Sequence, residues 1–81
     1  MSAHTVERLV MMANQIGKFF APQRNTDQAF AIADHLEKFW DPRMRTLIIA
    51  HLEAGGAGLD PMVLAAVEKM KGDLAAKGVR S

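Results

Sequence analysis

The stretch FWDPRMR, Phe39 to Arg45, decides how this chain folds. An aspartate followed by proline is typical of a helix start, because the carboxylate caps free backbone N–H groups and proline fits the first helical position. Since the residue before a proline is disfavoured in helical conformation, a preceding helix should end near Trp40. We therefore predict a corner between two helices, with Asp41 and Pro42 as structural caps.

The second Asp-Pro pair lies in GGAGLDP, Gly55 to Pro61, and predicts another helix start with Asp60 and Pro61 as caps. A glycine-rich loop before a helix can also bind an anion through backbone N–H groups. This loop, however, follows a helix, lacks the lysine of a P-loop and does not match GxGxxG. Helix end, turn and helix start account for all of its residues, and anion binding is the less supported interpretation.

Apolar residues at helical spacing predict four helices. The first runs from about Thr5 to Phe20, and the second has Asn25 as its cap, with Gln28 as the capping-box partner. The fourth should end at Gly78. The predicted core positions are Val6, Leu9, Val10, Ala13, Ile16, Phe20, Ala29, Ile32, Ala33, Leu36, Trp40, Met44, Leu47, Ile48, Leu52, Val63, Ala66, Val67, Met70 and Leu74.

No segment alternates as a strand does, so the predicted fold is all-α, a small bundle of about four short helices. We expect one helical domain over residues 1–81, with an ordered core over about residues 5–77. A chain of 81 residues has little redundancy in its core.

Composition excludes several classes of function. Ten basic and nine acidic residues give a net charge of +1, without the basic excess of a dedicated nucleic-acid-binding protein. There is no cysteine, which excludes disulfides, thiolate nucleophiles and cysteine-ligated clusters in this chain. Neither a signal-peptide pattern nor an apolar run of the ~20 residues that a membrane span needs is seen. We expect a soluble, cytoplasmic protein with no nucleic-acid or membrane partner.

The sequence offers no convincing active site. The internal histidines, His35 and His51, form neither HExxH nor a His-x3-His ligand pair. His51 falls within the apolar stripe of the third helix, which predicts a hydrogen-bonded packing residue. Asp34, His35 and Glu37 are too close along one helix to converge on a substrate, so we predict a solvated face. We therefore expect no catalytic, cofactor-binding or metal-binding residue.

The corner also has the composition of a protein-binding surface. Trp40 is predicted to be chiefly a core residue that shares one edge with a partner. Phe39 lies on the flank of its helix, Arg43 and Arg45 lie on either side of an inward-facing methionine, and Ile49 follows Arg45 by one turn. Arginine beside exposed aromatic groups is typical of binding hot spots. For Arg43, a surface ion pair worth about 0–1 kcal/mol is the alternative.

The first helix carries a second apolar ridge, formed by Met12, Ile16 and Phe19. A helix that is apolar over more than one stripe is either central in its domain or docks a second face on a partner. The residue pattern favours core positions for Met11 and Met12, although methionine also suits adaptable contacts with partners. The ridge adds Met12 and Phe19 to the candidate partner-binding residues.

Three motifs together resemble a known family: VMMANQIGKFF (Val10 to Phe20), KFWDPRMR (Lys38 to Arg45) and GGAGLDP (Gly55 to Pro61). They are similar to the small delta subunit of the soluble, molybdenum-containing, NAD-dependent formate dehydrogenases. The similarity extends from about Val6 to Met70.

The resemblance implies a place in a multisubunit enzyme. In this family the alpha subunit holds a molybdenum bis-pterin guanine dinucleotide cofactor and iron–sulfur clusters, and oxidises formate. The beta and gamma subunits pass the electrons through further clusters and FMN to NAD. The delta subunit binds no redox centre; it supports assembly or stability of the complex and has a suggested part in cofactor insertion. The resemblance thus implies a non-catalytic chain that binds the alpha subunit, and it favours a partner-facing Arg43 or Arg45.

Other functions stay open from the sequence. The chain is alternatively a transient maturation factor for the cofactor-free alpha subunit, or a small helical interaction protein with an unrelated partner. Self-association through Phe19, Phe30 or Phe39 is a further form of that last alternative. An independent enzyme is the least supported class.

Overall fold

The structure, a computed structural model, describes residues 2–22 and 27–76, with side chains from residue 6 onward. This part of the chain forms four α-helices and no strand, which confirms the predicted all-α fold. The helices are α1 (Ser2–Phe20), α2 (Gln28–Phe39), α3 (Pro42–Glu53) and α4 (Pro61–Ala76). The predicted terminator of α4, Gly78, lies outside the described residues.

Helices α2 and α4 form the most extensive helix pair and the centre of the core. All five predicted core positions of α4 are buried, as are Ile32, Ala33 and Leu36 of α2. Trp40 is only 4% exposed, so the prediction that it is chiefly a core residue is confirmed. The apolar stripes of these two helices face each other and hold the bundle together.

Helix α1 packs against this centre through Leu9 and Ala13, both of which are buried. Gly17 lets α1 approach α4 closely, because a Cβ atom at this position would lie 2.6 Å from Cγ2 of Val63. From α3, Ile48 is completely buried in the same core. One hydrophobic cluster therefore joins residues of all four helices.

The starts of α2 and α3 are fixed by capping side chains. Asp41 Oδ1 accepts a 2.9 Å hydrogen bond from Met44 N, and Pro42 is the first residue of α3. The predicted cap of α2 was wrong: Asp27, not Asn25, caps this helix, and its Oδ1 accepts from Phe30 N at 3.1 Å. Asn25 itself lies outside the described residues. Both are capping residue types, and the later start leaves Gln28 Nε2 free to donate to the Ala21 carbonyl at the end of α1 (2.8 Å).

Helix α3 ends in a Schellman motif. The N–H groups of Gly55 and Gly56 donate to the carbonyls of Leu52 and His51, each at 2.9 Å. Gly56 has a φ of +67°, and a Cβ there would lie 2.9 Å from Cδ1 of Leu64. Glycine is therefore needed both for the backbone conformation and for the close packing, and the predicted helix end is confirmed.

Two side chains hold the loop between α3 and α4. Asn14 of α1 donates from Nδ2 to the Gly58 carbonyl (2.9 Å), and its Oδ1 accepts from Asp60 N (3.0 Å). His51 Nε2 lies 2.7 Å from the Ala57 carbonyl oxygen, which confirms the hydrogen bond predicted for this histidine. Because Asn14 already occupies the Asp60 N–H, that group is not available to an anion in this conformation.

Candidate docking groove

An open apolar groove of about 480 Å³ lies between α1 and the C-terminal part of α2, a volume within the usual range of about 300–1,000 Å³ for binding pockets. We call it the α1–α2 groove. Its apolar lining residues are Met12, Ile16, Phe19, Phe20, Phe39 and Trp40, and its polar ones are Gln15 and His35.

The α1 wall of the groove is the second apolar ridge that the sequence predicted. Met12, Ile16 and Phe19 recur every three or four residues, which places them on one side of the helix. Phe19 is 69% exposed, and on the opposite wall Phe39 is 72% exposed. Buried Trp40 completes the lining. The groove therefore has one exposed phenylalanine on each wall, and we call Phe19 and Phe39 its rims.

A row of aromatic rings crosses the groove from α1 to α2. The ring centroids of Phe19 and Phe20 are 5.2 Å apart, those of Phe20 and His35 6.3 Å, and those of His35 and Phe39 4.7 Å. His35 was predicted to lie on a solvated face, and this was wrong: it is partly buried between phenyl rings. Its neighbour Phe20 comes from another helix, so the spacing within α2 alone gave no sign of the contact.

The predictions for Asp34, Met11 and Met12 have different outcomes. The side chain of Asp34 is 45% exposed, in agreement with the predicted solvated face, and forms an ion pair with Lys38 at 3.2 Å. Met12 is partly buried against the core, as the residue pattern favoured. Met11, by contrast, is 59% exposed, so the preference for a core position was wrong there. One residue step turns a helix by about 100°, which directs Met11 away from the bundle and into a shallow depression shared with Arg8.

At the corner, Arg45 binds its own chain. Its Nη1 donates to the carbonyls of Glu37 (3.0 Å) and Trp40 (2.6 Å), at the C-terminal end of α2, where a cation is favoured. The partner-facing role expected of Arg45 thus receives no support from these contacts. Arg43 is exposed, and the structure gives it no hydrogen bond or ion pair with any described residue.

The structure brings only some of the candidate partner-binding residues together. Four of them line the groove: Met12, Phe19, Phe39 and Trp40. Arg43, Arg45 and Ile49 lie outside its lining, and Ile49 packs against the core. Phe30 lies elsewhere, with Lys69 Nζ 5.4 Å from its ring centroid.

Within residues 2–22 and 27–76, no three metal-ligating side chains are grouped to hold an ion. None of the four helices in these ranges is long and apolar enough to cross a membrane. In the groove itself, His35 is the one titratable side chain of the lining. The arrangement is suited to burying the apolar surface of another molecule.

Comparison with known protein families identifies the chain. Residues 8–67, which include the whole groove and the α3–α4 loop, match the family described as NADH-dependent formate dehydrogenase delta subunit FdsD. The chain belongs to this delta subunit family. The resemblance seen in the sequence is thereby confirmed. Comparisons with curated proteins and with solved structures returned no match.

The delta subunit family match also includes two structural residues that the sequence analysis did not single out. Asn14 and Gly17 both lie in the matched stretch, one holding the α3–α4 loop and the other permitting the close approach of α1 to α4. A polar residue one position after a core alanine, and a glycine inside a helix, were the only local signals of these roles.

Proposed function

We propose that this chain is a non-catalytic accessory subunit of an NADH-dependent formate dehydrogenase, and that it docks on the alpha subunit through the α1–α2 groove. Docking there supports assembly or stability of the complex. The observation that carries this proposal is the pair of rims, Phe19 and Phe39, which are 69% and 72% exposed beside an apolar groove. Exposed apolar patches of this kind mark partner-binding surfaces.

The energy available from these rims is appreciable. Full burial of a phenylalanine side chain contributes about 1.5–3 kcal/mol, so covering two rings that are mostly exposed contributes about 2–4 kcal/mol. This corresponds to a factor of about 30–700 in affinity. The rims thus have the strength expected of hot-spot residues, and their loss should be measurable.

The proposed role leaves the redox chemistry to the other subunits. The molybdenum bis-pterin guanine dinucleotide, the iron–sulfur clusters, FMN and NAD are all assigned to the alpha, beta and gamma chains. The absence of cysteine supports this assignment, since iron–sulfur clusters are held chiefly by cysteine thiolates. In the groove, Gln15 and His35 supply the only polar side chains, which suits orientation of a docked surface.

The test is copurification by size exclusion with the alpha subunit, prepared both with and without its molybdenum cofactor. We expect the natural chain to be retained by both forms and the double variant Phe19→Ser, Phe39→Ser to bind at least 30-fold more weakly. Phe30→Ser is the matched control, because Phe30 is also exposed but lies outside the groove. It should be retained like the natural chain.

Other outcomes of this experiment discriminate between roles. Retention by the cofactor-free alpha subunit alone would replace a permanent subunit with a transient maturation factor that acts during cofactor insertion. Retention of the double variant with unchanged affinity would place the docking surface outside the groove. Binding of the natural chain to neither form would contradict the proposed partner.

A further inference from the structure

We propose that docking in the α1–α2 groove is controlled by the protonation of His35: the neutral imidazole permits docking, and the charged imidazolium opposes it. The inference rests on the proposed docking function and adds its regulation by pH. It follows from the place of His35 in the groove, from the charges around it and from the water that docking removes.

His35 is the one titratable side chain among the described residues that line the groove. It lies in the middle of the aromatic row, with its ring centroid 4.7 Å from that of Phe39 and 6.3 Å from that of Phe20. Histidine is the side chain whose charge ordinarily changes between pH 5 and 8. A change of charge in the lining near neutral pH therefore has to come from this residue.

The imidazole of His35 has no hydrogen bond or ion pair with any residue in the described part of the chain. Because the groove is open and His35 is only partly buried, water solvates the ring nitrogens in the free chain. Docking of an apolar surface removes this water. Burial without a compensating partner disfavours the charged form of a histidine, so docking and protonation oppose each other.

The neighbouring phenyl rings leave this opposition unchanged. An aromatic ring stabilises a cation beside it, but Phe20 and Phe39 contact His35 already in the free chain. An interaction that is equal in the free and docked states does not alter the affinity. What docking changes at this residue is its solvation.

Over residues 6–20, helix α1 presents no charge to the imidazole. Its residues in the groove wall are all uncharged. Lys18 lines a different depression, beside the start of α4. Glu7 and Arg8 precede Phe20, the α1 contact of His35, by at least twelve residues, which is about 18 Å along the helix. Charges at this distance are largely screened at physiological salt.

The charges of α2 beside His35 are paired or lie on another side of the helix. Asp34 and Lys38 bind each other at 3.2 Å, so together they add no net charge. Glu37 is two positions further along, about 200° around the helix, and lines a depression between α2 and α4 rather than the groove.

The charges of α3 and α4 do not compensate the imidazolium either. Lys69 and Asp73 of α4 lie in that depression and bind each other at 3.6 Å. At the start of α3, exposed Asp41 and Arg43 carry opposite charges and lie outside the groove lining. Arg45 already donates to the carbonyls at the end of α2, where a helix end would otherwise favour a cation. No described side chain is therefore placed to balance a charged imidazole under a docked surface.

The direction of the pH effect follows from this opposition. Binding is strongest where the free imidazole is neutral, and it is lost as the pH falls into the range where histidine is charged. Since histidine ordinarily gains its proton at about pH 6.5, a requirement for the neutral form weakens binding about tenfold between pH 7.5 and pH 5.5.

The experiment measures the dissociation constant of the full chain and the full-length alpha subunit by isothermal titration calorimetry at pH 7.5 and pH 5.5. The variants His35→Phe and His35→Gln do not titrate at this position, and either serves if the other folds poorly. His51→Gln is the matched control, because His51 lies outside the groove. All chains are measured with the same alpha subunit, so the partner's own titration affects them equally.

We expect the natural chain and His51→Gln to lose about tenfold more affinity at pH 5.5 than the two His35 variants. At pH 6.5, binding of the natural chain should also release more protons than binding of the His35 variants. Proton release is measured as the dependence of the binding heat on the ionisation enthalpy of the buffer.

The failures are distinguishable. Equal loss of affinity in the natural chain and the His35 variants would overturn the inference while leaving the docking function intact. A relative gain of affinity by the natural chain at pH 5.5 would also overturn it, because this requires a carboxylate of the partner beside the imidazole. Failure of the natural chain to bind at pH 7.5 would contradict the docking function itself.

Discussion

Arg45 shows how one side chain can define a corner at the scale of a single residue. Its Nη1 donates hydrogen bonds to the carbonyls of Glu37 and Trp40. An arginine in the first turn of α3 thereby caps the C-terminal end of α2, and we call this pair of bonds the Arg45 clamp. Phe39 lies between these two acceptors in sequence, and Trp40 lines the groove. The clamp therefore holds the α2 wall of the proposed docking surface in place.

Replacing Arg45 and Arg43 in turn should show that the first stabilises the fold and the second does not. Arg45→Met removes two charge-assisted hydrogen bonds in a partly buried site, and we expect the free energy of unfolding to fall by about 1.5–3 kcal/mol. Arg43→Met at the exposed neighbouring position should change it by no more than about 0.5 kcal/mol. Urea denaturation followed by Trp40 fluorescence measures both. Equal effects of the two substitutions would show that the clamp contributes nothing to stability.

Asn14 is a second single residue that stabilises the fold, through hydrogen bonds to residues that are distant in sequence. Asn14→Ala removes the bonds to the Gly58 carbonyl and the Asp60 N–H, and we expect a loss of about 1–3 kcal/mol in the free energy of unfolding. Amide hydrogen exchange at Asp60 should become faster. The control is Gln15→Ala, since Gln15 is the exposed next residue of α1. Unchanged exchange at Asp60 in Asn14→Ala would show that the Asn14 side chain does not hold the α3–α4 loop.

At the scale of helices, two glycines should respond oppositely to the same substitution. In Gly17→Ala the new Cβ meets a stiff, buried Val63 at 2.6 Å, and overpacking of about 1–3 kcal/mol exceeds the gain in helix propensity. In Gly72→Ala the Cβ meets nothing within 4 Å, so the gain of about 0.5–1 kcal/mol is realised. Thermal unfolding should show a lower Tm for the first variant and a higher Tm for the second. The same direction in both would refute close α1–α4 packing as the cause.

The apolar stripes of α2 and α4 could be predicted in full, because burial follows helical spacing wherever the neighbouring helices cover one face. The start of α2 could not, since two capping residue types lie two positions apart. The groove could be predicted in part: its α1 ridge was visible, but its aromatic row depends on Phe20 meeting His35 across helices.

The roles of residues that bond distant parts of the chain could not be predicted from the sequence, for a physical reason. Asn14 and Gly58 are 44 positions apart, and no local pattern encodes their contact. Arg45 is closer in sequence to its acceptors. The position beside an inward-facing methionine, however, is compatible both with a helix-capping arginine and with a surface arginine, and only the direction of the side chain distinguishes them.

On the scale of the whole molecule, one core links all four helices, with Leu9, Ile32, Ile48 and Val67 among its buried members. We therefore expect a single cooperative unfolding transition. Helix content from circular dichroism and the fluorescence of Trp40, the only tryptophan, should change with the same midpoint and slope in urea. An earlier loss of helix signal would mean that one helix, such as α1, unfolds independently of the core.

The exposed rims of the groove also bear on how the cell supplies this protein. Phe19 and Phe39 are uncovered in the free chain, so copies made in excess of their partner carry an adhesive surface. The harm of such an excess grows with its concentration, whereas a shortage only leaves some enzyme without this chain. With the docking function proposed above, we therefore expect the chain and its partner to be made in balanced amounts.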